Sequence, residues 1–107
     1  MKEPYIYVVS DSVGETAELV TKAAISQFDG SNTVIKRFPY VEDFSHLDEV
    51  LSLAKLNNGL IVYTLVKPDM RKYLKEQAEK EQLYAFDIMG PIMETYRSEE
   101  RRVGKEC

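Results

Sequence analysis

The chain alternates two kinds of apolar pattern: short runs of β-branched and aromatic residues, and longer stretches whose apolar positions recur three or four residues apart. The first kind predicts strands buried on both faces of a sheet, the second amphipathic helices. Tyr5 to Val9 is a strand-like run closed by the polar turn Ser10-Asp11-Ser12. From Gly14 to about Phe28, Ala17, Val20, Ala24 and Phe28 mark one helical face, and Asp29-Gly30 supplies a stop. Thr33 to Phe38 follows as a second strand. Phe44, Leu47, Leu51 and Ala54 then mark a second helix, ended by Asn57-Asn58-Gly59, which tolerate a left-handed backbone.

Leu60 to Val66 is almost continuously apolar, as an inner parallel strand should be. Pro68 suits the first turn of a third helix, with Met70, Tyr73, Leu74 and Ala78 facing inward. Leu83 to Asp87 reads as a short fourth strand, and Gly90-Pro91 opens a fourth helix. Strict β-α alternation with short connections requires right-handed crossovers. The expected fold is therefore an α/β open parallel sheet of about four strands in order 2-1-3-4, with helices on both faces. It should be a truncated sheet, leaving an edge strand and some apolar surface to be covered.

Composition narrows the function classes. The chain has 107 residues, enough for one domain. Its 14 basic and 18 acidic residues give a net charge of -4, which disfavours nucleic-acid binding. One cysteine, Cys107, and one histidine, His46, exclude a disulfide framework and a multidentate Cys/His metal site, so no metal is expected. No apolar run approaches the roughly 18 residues that would suggest a membrane span, and no signal region precedes the first strand. A cytoplasmic location without membrane attachment is expected.

The last eleven residues, 97–107, carry seven charges and no apolar period. Back-translated, they resemble a sequencing-library adapter read through as protein. The expected organisation is an N-terminal α/β domain over 1–96 and a non-native tail over 97–107. The tail holds four basic and three acidic residues, so the remainder keeps 10 against 15 and stays acidic.

Candidate chemistry concentrates in the first turn. In open parallel sheets ligands bind beyond the carboxyl ends of strands whose connections leave on opposite faces, which here means strands one and three. Hydroxyls at Ser10, Ser12 and Thr16, the small Gly14 and the free amides of a helix start suit a phosphate-like anion. Asp11 is the candidate catalytic group, able to orient a nucleophile, hold a metal through water or accept a hydroxyl proton. The same run offers a purely structural reading, because Ser12-x-x-Glu15 has the spacing of a capping box. His46 reads as a surface or capping residue, and Tyr40 and Tyr63 as core or rim aromatics. Asp87 ends the fourth strand on the same edge as Asp11, so a paired-carboxylate site is one option. The glycines form neither G-x-x-x-x-G-K-[ST] nor G-x-G-x-x-G. Thr64-Leu65-Val66 stands where a phospho-acceptor receiver domain would need an aspartate.

The run Tyr7 to Glu18, reading Y-V-V-S-D-S-V-G-E-T-A-E, with Ala23-Ala24, Gln27-Phe28, Gly59 to Thr64 and Asp87 to Pro91, resembles the bacterial regulators of pyruvate, phosphate dikinase and phosphoenolpyruvate synthase. The resemblance covers about residues 4 to 96. It implies a bifunctional enzyme that uses ADP to phosphorylate a threonine of the dikinase and inorganic phosphate to remove that group, releasing pyrophosphate. It also implies that ADP and phosphate are substrates, with no cofactor held by this chain. In that family a phosphate loop in the later half holds the nucleotide. No such loop occurs in these residues, so the nucleotide-binding residues lie outside them and the chain alone is expected to be inactive. The implied partner is the dikinase or the synthase, and a homodimer stays open. Two other readings compete. One is a flavodoxin-like mononucleotide binder, since Ser10-x-Ser12-Val13-Gly14-x-Thr16 is similar to that family's phosphate turn with one extra residue. The other is a non-catalytic docking module.

Overall fold

A computed structural model describes residues 4–28 and 32–97. Four strands and three bounded helices follow one another as β1 (Tyr5–Ser10), α1 (Glu15–Ile25), β2 (Val34–Phe38), α2 (Phe44–Asn57), β3 (Leu60–Thr64), α3 (Pro68–Lys80) and β4 (Ala85–Asp87). A further helix, α4, occupies 90–97. The sheet is parallel throughout, in order β2-β1-β3-β4. The expected architecture and strand order are therefore observed. The boundary expected at residue 96 falls within α4, and of the expected tail 97–107 residues 98–107, with Cys107, lie outside the described residues.

Burial explains the layers. β1 is buried from Ile6 to Ser10 because it is central, paired on one side with β2 and on the other with β3. One face carries the larger core: Tyr7, Val9, Ile61, Tyr63 and Leu65 pack with Leu47, Val50, Leu51 and Ala54 of α2 and Met70, Leu74 and Ala78 of α3. On the opposite face Ile6, Val8 and Val62 meet Ala17 of α1. Helices thus lie on both faces of the sheet.

Local signals account for most helix ends. Asn58 adopts φ 51 at the end of α2, and the amide of Gly59 closes onto Ala54 at 2.8 Å. A side chain at Gly59 would meet Tyr7 Cε2 at 2.7 Å and the Tyr5 carbonyl at 3.0 Å, so the close approach itself requires glycine. Asp43, not noticed in the sequence, caps α2 by accepting the amide of His46 at 2.9 Å. The His46 ring meets Phe38 edge-on, in keeping with a structural role.

The inward face of α1 differs from the expected one. Ala17 and Thr21 are buried, with Ile25 packed beside them, whereas Val20 and Phe28 are 43% and 72% exposed. A polar residue takes the inner position because the Thr21 hydroxyl donates to the Ala17 carbonyl at 2.7 Å, leaving only its methyl to the core.

Candidate functional site

The carboxyl edge of the sheet carries the site. β1 ends at Ser10, which is buried, and the chain turns through Asp11, Ser12, Val13 and Gly14 before α1 begins at Glu15. The Ser12 amide donates to Ser10 Oγ at 3.0 Å, and the two serine hydroxyls stand 3.3 Å apart. Neighbouring loops clamp the turn from both sides. Tyr40 and Val41, after β2, donate their amides to the carbonyls of Ser12 and Ser10 at 2.9 Å each. On the other side the Val66 amide, after β3, donates to Asp11 Oδ2 at 2.8 Å.

The capping-box expectation for Ser12 and Glu15 is corrected. The helix N-cap is Gly14, in the left-handed region at φ 89, and no side chain caps the helix. A capping box requires Ser12 in the N-cap position. Here the chain needs two more residues to turn, and only glycine adopts that backbone without strain. Ser12 Oγ is instead paired with Ser10, and Glu15 lines the cleft. The first helical amides therefore have no side-chain acceptor at the end where the helix dipole favours negative charge.

The turn bounds a cleft of about 270 Å³, lined by Ser10 through Thr16 together with Thr64, Val66 and Met89. All of the sequence-predicted binding candidates, Ser10, Ser12, Gly14 and Thr16, come together there with Asp11. Asp11 also lines an adjoining cleft of about 170 Å³ with Val41, Glu42, Lys67 and Met70. Thr64 and Met89, from other strand ends, and Lys67 beside Asp11 were not foreseen. Arg37 was not foreseen either: its side chain lies over Gly14, where a Cβ would stand 3.1 Å from Cδ, and its guanidinium is 3.7 Å from Glu18 Oε1.

Asp87 does not join Asp11. Its Oδ1 accepts the Gly90 amide at 2.6 Å, capping α4, and its Oδ2 lies 3.9 Å from Arg71 Nη1. It lines a different groove, with Tyr63. The paired-carboxylate option therefore fails, because each carboxylate is held by donors of its own, Asp11 by the Val66 amide and Asp87 by the Gly90 amide and Arg71. Tyr63 is a core residue whose phenol burial pushes up to about 12, with the Asp87 charge adding to the shift, whereas Tyr40 is exposed at φ 56. Among the described residues no three acidic, histidine or cysteine side chains gather as a metal site. No helix among them is long and apolar enough to cross a membrane.

Comparison with known proteins settles the ancestry. The model of a family described as kinase/pyrophosphorylase matches residues 6–105, almost the whole chain. The chain belongs to the kinase/pyrophosphorylase family. A Bacillus velezensis protein named as a pyruvate, phosphate dikinase regulatory protein is 58% identical over 100 residues, covering 92% of this chain and 37% of that protein. A protein of the same name from Bacillus subtilis is 55% identical over 96 residues, 88% of this chain and 36% of the relative. A third, from a Geobacillus strain, is 54% identical over 94 residues, 88% and 35%. The chain thus spans little more than a third of the length of these family members. The family match also runs across the boundary expected at residue 96.

Proposed function

We propose that this chain forms the N-terminal part of a cytoplasmic phosphotransferase that regulates pyruvate, phosphate dikinase or the related synthase. In this reading ADP is the phosphoryl donor to a threonine of the partner enzyme, and inorganic phosphate takes the group back with release of pyrophosphate. The observation that carries the proposal is the hydroxyl-lined cleft at the carboxyl edge, in a chain of the kinase/pyrophosphorylase family.

The cleft suits the phosphoryl group itself. Its volume of about 270 Å³ lies at the small end for ligand sites, and Ser12, Thr16 and the first amides of α1 supply neutral donors. Asp11, held by the Val66 amide through one oxygen, accepts the proton of the attacking hydroxyl at the other. Repulsion between Asp11 or Glu15 and a bare anion is offset by Lys67 of the adjoining cleft and by Arg37, whose side chain lies over Gly14. These residues include no nucleotide phosphate loop, so the 107-residue chain transfers no phosphate on its own.

Titrating inorganic phosphate while following backbone amide resonances tests the cleft. The amides of Ser12, Gly14, Glu15 and Thr16 should shift together and saturate, and unmoved resonances would refute the assignment. Transfer of labelled phosphate from ADP to the dikinase, by the protein at the length of its relatives, tests the activity.

A further inference from the structure

A groove of about 460 Å³ lies alongside β4, lined by Arg71, Lys75 and Ala78 of α3, by β4 and by the start of α4. Three features of this region point to one kind of occupant.

First, β4 is bonded on one side only. It pairs with β3 in the register Ile61 to Ala85, Val62 to Phe86 and Tyr63 to Asp87, and it ends the strand order. The Ile61 amide donates to the Tyr84 carbonyl at 2.8 Å and the Ile88 amide to the Tyr63 carbonyl at 3.0 Å. Because bonds along a parallel strand alternate between its two sides, the backbone N–H and C=O of Ala85 and Asp87 turn outward. Second, Tyr84 and Phe86 stack with centroids 6.5 Å apart, yet are 74% and 50% exposed. An edge that is both unpaired and apolar is a template for another strand.

Third, Arg71 is only 8% exposed and its Nε has no acceptor among the described residues. Glu94 already accepts Nη2 at 3.0 Å and Asp87 stands near Nη1, so two carboxylates balance this one guanidinium. The remaining N–H calls for a neutral acceptor, such as a peptide carbonyl, and not for another anion.

We propose that an extended segment from the part of the protein that its relatives carry, and this chain does not span, adds as a fifth strand along β4. Its backbone pairs with Ala85 and Asp87, its side chains cover Tyr84 and Phe86, and a carbonyl at its margin meets Arg71. The relatives supply the length, since this chain covers 37% of the first of them. A second copy of the chain fits less well, because it would set a three-residue strand against another of equal shortness. The proposal stands apart from the phosphate reading and survives its failure.

Amide exchange in the protein at its relatives' full length tests it. The Ala85 and Asp87 amides should exchange about 100-fold or more below open-peptide rates. Exchange at open-peptide rates overturns the proposal, and protection lost on dilution overturns it in favour of a second copy. Ala85→Pro removes the outward N–H at a position where an edge strand tolerates proline. It should lower the unfolding midpoint of the long protein by several degrees and leave that of the 107-residue chain unchanged. Equal shifts in both would overturn the fifth strand.

Discussion

Asp11 follows β1 and Asp87 closes β4, at the same edge of one sheet and each just before a helix, but their surroundings give them different work. Asp87 has both oxygens engaged: one caps α4 at Gly90 and the other faces Arg71. Asp11 commits Oδ2 to the Val66 amide, and among the described residues Oδ1 accepts no hydrogen bond at the junction of two clefts. A strand-end aspartate is thus available for chemistry only when the loops beside it leave an oxygen over. For Asp11 that is decided by the loop at Val66, far along the chain.

Exchanging each carboxylate for an amide gives the largest expected contrast. In the protein at its relatives' length, Asp11→Asn should lower phosphoryl transfer about 100-fold or more, the scale of lost general-base catalysis. Its unfolding midpoint should hardly move, because the amide oxygen still accepts from Val66. Asp87→Asn should do the reverse, keeping transfer and costing about 1–3 kcal/mol by weakening the environment of a buried guanidinium. Transfer rates and thermal melts on the same pair of variants check this; parallel losses in both would erase the distinction between the two residues.

The glycines of the two turns separate them next. A Cβ at Gly90 would stand 1.9 Å from Asp87 Oδ2 and 2.8 Å from Arg71 Nη1, so alanine there must push the cap off its helix. Gly90→Ala should cost about 2–3 kcal/mol, the sum of a lost cap and a disturbed buried pair. At Gly14 the nearest atoms belong to the flexible Arg37 side chain, and the cost comes from the φ of 89. Gly14→Ala should therefore cost only about 1–2 kcal/mol. Thermal melting resolves the two, since about 1 kcal/mol moves the midpoint of a domain this size by roughly 4–8 °C.

The same contrast explains what could be read from the sequence. Periodicity revealed the strands and most of the helices, and short connections with a fixed crossover hand left order 2-1-3-4 as the natural arrangement. The run Ser10 to Thr16 was legible because contiguous residues build most of that cleft. Thr64, Lys67, Arg37 and Met89 were not, since each reaches the turn from another element and no local pattern marks it. No local pattern marks Arg71 either, yet the fold buries it. Two local rules failed for local reasons: Thr21 satisfies its hydroxyl within α1 and so turns inward, and Gly14 delays the helix past the capping-box register.

The smallest effect, absent at neutral pH, concerns Tyr63 beside Asp87. Burial, with the nearby carboxylate, pushes its phenol from the ordinary 10 to about 12. The folded protein therefore keeps a proton that the unfolded chain releases. The resulting stability is fully present below pH 10 and declines as pH rises through the window from 10 to 12. Absorbance titration of tyrosinate should show one late phenol that coincides with alkaline unfolding and disappears in Tyr63→Phe. Tyr73 also titrates high, because its hydroxyl donates to Asp48 at 2.5 Å, so Tyr73→Phe serves as the companion variant. That hydroxyl is exposed, and its loss should leave the coincidence with unfolding intact. If Tyr63 instead ionised at the ordinary value of 10, water would have reached the base of the β4 groove. Asp87 would then be no more closed off than Asp11, and the difference between the two aspartates would rest on hydrogen bonds alone.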